Sequence, residues 1–569
     1  MRARSKAERI EAADGPEQVR NAPSVSASLP LHAGTRSLLP RLLDLPWPPL
    51  FLLMASLGLA ALKRPPIAGI DTPALAAAWE IVRSDHWLLW HEAGGRAGEA
   101  APLLAWLIAL GWSAFGVGIA WPWLLCAIAL SAALLLTRRL AQRLWPQRAD
   151  AGALAGWLFA GSAGVLLLGP AITPDGLGAG LAAGGLLGLV IAAGGRRRGW
   201  VLFAACLSLL LLALGASGVA VLLAPALAGP AWARTEERRS WLGWYGSLLL
   251  AATAAALPAL WLHQAAGDIG GWMVATDGPS LVPLLAFPLF FYPWPFWPRL
   301  WRSARRQSNF LGDGGVRLCL IALLALLAGF VAEGSGPGRL LLASPAICAV
   351  TARLLAGRLP GRADFHAGIP ALPLALLGAL PIAINTVPWA QLAGRARELA
   401  GVELPIWIAD VGVGGAMIVL GGTFLLIQGT PRQMLSRVAH LALLPTVLVA
   451  AVAWEMAGAL GSTLDPGPMA ARLSALQSQQ VPVAVFGDPS DYAFAGRLER
   501  PLPQLVSIPE ALAWARAHPD GAALAPFRGS VLHLQRQPTY AAPQGASWVA
   551  LWPAGELIAS DGAVLEEPR

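Results

Sequence analysis

Long apolar runs separated by short arginine clusters recur from Leu45 to Leu460. Several of these runs reach the roughly 18–20 residues that a helix needs to cross a bilayer. They are continuous rather than alternating, which sets aside a β-barrel. The chain of 569 residues is 56% hydrophobic and only 13% charged, against roughly 25% charged in an ordinary soluble protein. A soluble multidomain enzyme, a disordered chain and a disulfide scaffold are excluded. What remains is an all-α polytopic membrane protein.

The net charge is +8 and the pI about 10.0, with Lys6 and Lys63 as the only lysines. Because the arginines sit between apolar runs, they read as positive-inside loops rather than as a nucleic-acid surface. Cys126, Cys206, Cys319 and Cys348 all lie inside apolar runs and read as packing thiols; no Cys/His metal spacing is present. Residues 1–44 are polar and Arg-rich, which reads as a disordered cytoplasmic tail before an uncleaved first span and not as a secretory signal.

Loop charge fixes the topology by parity. If Ala101–Val117 crossed the membrane, the basic loop Arg138–Arg148 and every later basic loop would lie outside. Taken as an interfacial helix, it puts all of them inside. The spans then run Leu45–Leu62, Trp121–Thr137, Ala151–Leu168, Gly176–Ala193, Trp200–Leu214, Gly218–Ala231, Trp241–Leu262, Leu281–Trp297, Arg317–Ala332, Leu340–Ala352, Ile369–Trp389, Ile406–Gln428 and Val438–Leu460. That is about 13 by the span-length rule, with the N-terminus inside and the C-terminus outside. The organisation expected is a tail over 1–44, a membrane domain over 45–464 with an outer loop at 63–118, and an outer domain over 465–569. Pro283, Pro288, Pro293, Pro295 and Pro298 in one segment read as kinked packing.

From Asp465 the composition changes. Val481–Phe486, Ala522–Ala525, Val531–Gln535 and Trp548–Trp552 read as strands, and Pro509–Ala517 reads as a helix capped by Ser507 with Glu510 in its first turn. A small α/β domain follows. Asp488, Asp491, His518 and Asp520 read as polar loop residues.

Parity gathers acidic groups on the outer side: Asp71 and Glu99 in the first loop, Asp175 in Thr173-Pro174-Asp175, and Asp268 and Asp277 further on. Asp71 and Asp175 each have a helix-capping reading. Each is also a carboxylate at the edge of a low-dielectric medium, and so a candidate general base.

Three stretches carry a family resemblance. They are Asp71 with Ser84-Asp85-His86-Trp87 and the run Glu99–Leu107, then Thr173-Pro174-Asp175, then Asp488–Trp514 with Phe494-Ala495-Gly496-Arg497 and Arg500-Pro501-Leu502-Pro503. In order and spacing they resemble the bacterial GT-C glycosyltransferases, relatives of the protein O-mannosyltransferases and the lipid A aminoarabinose transferase. The resemblance runs over nearly the whole chain from about residue 45. It implies an inner-membrane enzyme that moves a sugar from a polyprenyl-phosphate donor to a periplasmic acceptor (a lipid, glycan or protein) among membrane lipids, with no nucleic-acid partner. It makes Asp71 and Asp175 the catalytic carboxylates and gives Glu99 a substrate-binding place that in some relatives helps hold a divalent metal. The N-terminus would be cytoplasmic and the C-terminal domain periplasmic.

The chain also departs from that pattern. Ala100-Ala101-Pro102 stands where the family has Lys-Pro-Pro, Leu168-Gly169-Pro170 where it has an Arg, and Ser217-Gly218-Val219 where it has Lys-Gly-Pro. Lys63, Arg64, Arg96 and Arg339 are the cations that could replace them at a phosphate, Arg339 first among them. Two other readings stay open: a non-catalytic member of the fold that binds a lipid-linked glycan or scaffolds a partner, and a transporter. The transporter would use ionisable groups in the spans, where Asp410 and Glu455 are the main cases.

Overall fold

A computed structural model describes residues 38–87, 102–233, 238–266, 282–307, 309–333, 336–357, 368–388, 410–429, 433–527, 538–544 and 547–562, with single positions between them. Eight helices among these are long and apolar enough to cross a membrane: Ala120–Leu144, Pro174–Ala193, Arg197–Ala216, Trp241–Gln264, Gly314–Val331, Pro337–Leu355, Gly368–Asn385 and Met434–Met456. Shorter apolar helices at Trp47–Ala61, Ala151–Ala160, Gly218–Leu227 and Val413–Ile427 fill out the bundle. The protein is a multi-pass membrane protein with a small C-terminal sheet. Its outward-facing positions include Leu250 at 73% and Phe424 at 65% exposure. Such a surface is at home in lipid and would aggregate in water.

Glycine lets two helices meet backbone to backbone. A Cβ at Gly188 would lie 2.9 Å from the carbonyl of Gly199, and one at Gly199 would lie 2.3 Å from the amide of Ala192. Without a hydrophobic drive inside lipid, close approach of this kind supplies the packing. The two runs read as separate spans, Trp200–Leu214 and Gly218–Ala231, are two helices within Arg197–Leu227 that meet at a kink at Gly215, with φ 68° and ψ −156°. Only glycine adopts that conformation without strain.

Ala151–Leu168, read as one span, is not one continuous helix. It divides into Ala151–Ala160 and Ala163–Leu168, with Ser162 extended between them. A break inside the bilayer frees backbone groups that must be re-satisfied. Trp294 Nε1 donates to the carbonyl of Leu158 at 3.0 Å and to Ser162 Oγ at 3.1 Å, and the Ala163 amide donates to the Tyr292 carbonyl at 2.9 Å. The proline-rich segment supplies these partners because it is itself broken, into Val282–Phe290, a short 3-10 turn at Trp294–Phe296, and Pro298–Arg305.

The two ends of the bundle are chemically distinct. At one, Asp313 accepts from Trp145 Nε1 at 2.9 Å and from Arg353 Nε at 3.0 Å, while Arg148 reaches the Arg353 carbonyl at 3.3 Å. This draws three of the basic loops together. At the other end lie Arg64, Asp71, Asp175, Arg339 and the C-terminal sheet.

The interfacial segment forms Pro102–Phe115, a helix of 14 residues, about 21 Å long and short of the ~30 Å hydrocarbon core. Its Leu104, Ile108 and Trp112 pack on Leu75, Ala78 and Ile81 of the helix Thr72–Ser84. Trp112 also stacks on Phe494 of the C-terminal region, ring centroids 5.0 Å apart.

The sheet has five strands: β1 Val483–Phe486, β2 Gln504–Leu505, β3 Ala522–Phe527, β4 Tyr540–Gln544 and β5 Ser547–Pro553. Their order is β2-β1-β3-β5-β4; β1 pairs in parallel with both β2 and β3, and β5 runs antiparallel to β3 and β4. The short β2 and the hairpin strand β4 escape the sequence reading, and Val531–Gln535 lies outside the described residues. Ser507 caps Ile508–Ala517, accepting from the Glu510 amide at 3.4 Å, while Glu510 reaches back to the Val506 amide at 2.9 Å.

Candidate active site

Asp71 follows a tight Ile67–Ile70 turn and precedes Thr72-Pro73 at the start of a helix. It occupies the cap position, yet its side chain makes no capping bond. The carboxylate turns back instead. Oδ2 accepts from the Ile67 amide at 2.8 Å and pairs with Arg64 at 2.9 Å. Oδ1 accepts from the Ile172 amide at 2.7 Å. Arg64 in turn donates to the Pro170 carbonyl at 3.1 Å. Arg64 and Asp71 thus pin the segment before the helix Thr72–Ser84 to the turn that carries Thr173-Pro174-Asp175. Asp71 is 0% exposed. Three of its roughly four lone-pair positions are occupied, which leaves one on Oδ1.

Asp175 sits in the first turn of Pro174–Ala193, with Thr173 at the cap position. Its carboxylate faces Arg339, Oδ1 to Nη1, at 3.6 Å. That separation is too long for a hydrogen bond, and both atoms are buried without a hydrogen-bond partner. The Gly336-Pro337-Gly338 turn makes the approach feasible: a Cβ at Gly338 would lie 2.5 Å from Asp175 Oδ2. The structure therefore brings Asp71, Asp175, Arg64 and Arg339 to one end of the bundle. Lys63 is exposed beside them. Arg96 and Glu99, like Asp268 and Asp277, lie outside the described residues. Among the described residues no three His, Cys, Asp or Glu side chains converge as a metal would require.

Asp491 is the residue that sequence reasoning misplaced. It is not a solvated loop group. Its Oδ1 accepts from the Gly69 amide at 2.7 Å and from the Thr72 hydroxyl, which docks the C-terminal domain onto the segment holding Asp71. Trp79 Nε1 donates to the Leu498 carbonyl at 3.0 Å, and Arg83 donates to the Glu499 carbonyl. No local signal could have found this contact, because Asp491 and Gly69 are 422 residues apart. Asp488 caps the next turn by accepting from the Ser490 amide at 2.8 Å. His518 ends a helix and stacks on Trp514, and Asp520 is exposed.

Burial pushes the Asp491 carboxyl above its ordinary range, with Asp488 adding to the shift and the bonds from Thr72 and Gly69 opposing it. An acid whose folded-state pKa is raised holds its proton longer in the folded state. The docking is therefore firmest at low pH and weakens as pH climbs from the ordinary Asp value through the raised one. Asp491→Asn keeps an acceptor oxygen and carries no charge. It is expected to flatten this pH dependence and leave the docking at neutral pH as firm or firmer. Asp491→Ala is expected to lose about 1–2 kcal/mol through the two unpaired donors. Thermal melts of the two variants across pH 4–8 check both statements.

Asp410 and Glu455, the two groups behind a transport reading, are tied up structurally. Glu455 accepts from the Gly412 and Gly415 amides at 2.8 and 2.6 Å, at the start of Val413–Ile427, where a negative charge suits the helix dipole. Asp410 accepts from the Thr463 hydroxyl.

The helical bundle, the segment around Asp71 and the small C-terminal sheet together reproduce a fold seen in solved structures. The chain is similar in structure to ArnT, the lipid A aminoarabinose transferase, from Cupriavidus metallidurans. A crystal structure of ArnT in the apo state aligns with TM-score 0.64 and 15% identity, covering 89% of this chain and 97% of that one. A second, bound to undecaprenyl phosphate, aligns with TM-score 0.62 and 17% identity, covering 92% and 98%. No protein-family model matches the chain, and no curated protein matches it in sequence.

Proposed function

We propose that this protein is an inner-membrane glycosyltransferase that moves a sugar from a polyprenyl-phosphate donor to a periplasmic acceptor. The observation that carries this reading is the Asp175–Arg339 pair. Two half-buried, oppositely charged groups face each other with a buried oxygen and a buried nitrogen free of hydrogen bonds. They do so at the membrane edge of a fold whose solved counterpart binds undecaprenyl phosphate. Buried polar atoms without partners cost stability and are expected where a ligand completes them.

In this reading Arg339 holds the donor phosphate. The acceptor oxygen attacks the anomeric carbon and loses its proton to Asp175 Oδ1. The bond from that carbon to the phosphate oxygen breaks, and polyprenyl phosphate leaves with the electron pair, its charge met by the guanidinium. Asp71, already holding three donors, is a positioning residue. It fixes the outer segment, and its one remaining lone pair can orient the acceptor hydroxyl. The basic loops at the opposite end would face the cytoplasm.

Mass spectrometry of lipids that co-purify in a mild detergent tests the donor. A polyprenyl-phosphate sugar is expected, and its absence together with any detergent-independent substrate uptake would point to transport. The second reading is a glycan-binding, non-catalytic member of the fold. Ala100, Leu168-Gly169-Pro170 and Ser217, where the family's cations stand, favour it. Membranes that retain the lipid but transfer no sugar would support it over the enzyme.

A further inference from the structure

A cleft of about 290 Å³ lies between the C-terminal sheet and the outer segment of the membrane domain. Its floor is the carboxyl ends of β1 and β3, at Phe486-Gly487-Asp488 and Ala525-Pro526, and its far wall is Ala68-Gly69. The connection leaving β1 runs to β2 on one side, whereas β3 lies on the other. The gap between β1 and β3 is therefore the place where the strand order reverses, and in open α/β sheets ligands bind outside the carboxyl ends of the strands at that place.

The local chemistry agrees with the topology. Gly487 has φ 137°, and a Cβ there would meet nothing within 4 Å. The backbone thus turns in a conformation reserved for glycine and faces open space. Asp488, Asp491, Tyr492 and Gln544 supply the polar lining. The Tyr492 hydroxyl donates to Gln544 Oε1 at 2.8 Å, which braces those two side chains across the cleft. Two carboxylates and no cation line it among the described residues. Such a lining repels phosphates and carboxylates and accepts hydrogen bonds from hydroxyl and ammonium groups.

We propose that this cleft binds a single sugar unit bearing hydroxyl or amino groups and no anionic group, at a site separate from Asp71 and Asp175. The volume sits at the small end of ligand pockets, which suits one ring rather than an oligosaccharide. The site does not rest on the transferase reading; it would serve an enzyme or a glycan-binding protein alike. Because Asp491 both lines the cleft and holds Gly69 and Thr72, a bound sugar would touch the clamp that docks the two domains.

The test uses the full-length protein in lipid nanodiscs free of glycoside detergents, with saturation-transfer NMR. The probes are glucose, glucosamine and glucose 6-phosphate. Saturable binding of glucose or glucosamine is expected in the millimolar range usual for a ligand of this size, with glucose 6-phosphate at least tenfold weaker. Ala68→Trp, which fills the cleft from the membrane-domain side, should abolish binding. Asp488→Asn keeps the acceptor for the Ser490 amide and should weaken glucosamine tenfold or more. Asp175→Asn should leave binding unchanged. Absence of saturable binding, tighter binding of glucose 6-phosphate, unchanged binding in Ala68→Trp, or loss of binding in Asp175→Asn would each overturn the proposal. The last outcome would assign the signal to the transferase site.

Discussion

Asp71→Asn is expected to abolish sugar transfer while also loosening the outer segment. An amide in place of the carboxylate must turn its NH2 group toward one side. Toward Oδ2's partners it meets the Ile67 amide and Arg64; toward Oδ1's partner it meets the Ile172 amide. Either way two donors oppose each other in a site with 0% exposure, and Arg64 loses its counter-charge. Breaking a buried pair by neutralising one partner costs roughly 3–5 kcal/mol, and that cost falls on the contact between the 64–84 segment and the turn before Asp175. Hydrogen exchange should rise over residues 64–84 and over Ile172. Because Asp71 is proposed to act through position, any residual transfer should show a raised acceptor KM as well as a lowered kcat. Asp71→Glu, with the same charge and a longer stem, should restore only part of the activity. Wild-type transfer in Asp71→Asn membranes, or lost transfer with unchanged exchange, would remove the positioning role.

The spans that sequence reading placed well are those whose hydrogen bonds close within one helix, such as Trp121–Thr137 and Gly176–Ala193. Hydropathy and loop charge see such helices directly. Ala151–Leu168 reads as continuous by hydropathy; the Gly161-Ser162 pair at which it breaks is a weak kink signal among many small residues. The partner that makes the break tolerable, Trp294, lies 136 residues away. The same limit applied at the site. Asp71 and Asp175 stood out as carboxylates in apolar surroundings, and Arg339 as a cation at a span entrance. Their pairing could not be read from the chain, because Arg64 and Asp71 meet across a turn and Asp175 meets Arg339 across the bundle. Asp491 reads as a loop residue because polar loop positions are usually solvated, while its two partners belong to the other end of the sequence. The missing family cations are legible in the chain itself, and they are the reason Arg339 is the candidate proposed for a phosphate.

The Asp175–Arg339 pair should be the point of largest kinetic sensitivity without loss of fold. Asp175 Oδ1 and Arg339 Nη1 make no hydrogen bond, so substitution there removes no hydrogen bond at these two atoms, although it breaks the ion pair and should cost some stability. Arg339→Ala removes the cation proposed to meet the leaving phosphate. A preorganised donor of this kind contributes on the order of 10²–10³ in kcat, and a loss of that size is expected. Arg339→Lys keeps the charge but not the planar fork, and should recover part of the rate. Asp175→Asn should reduce transfer at least as much, since an amide cannot take a proton. It should also leave retention of the polyprenyl-phosphate lipid intact, whereas Arg339→Ala should lower it. Gly338→Ala adds an independent, steric arm. Its Cβ would press on Asp175 Oδ2 and displace the carboxylate from the arginine with no change of charge. A tenfold or greater fall in kcat with a normal melting profile is expected. Melting curves, lipid retention and transfer rates measured on the four variants separate the roles. Full activity in Arg339→Ala and Asp175→Asn would take the chemistry away from this pair and leave the glycan-binding reading in its place.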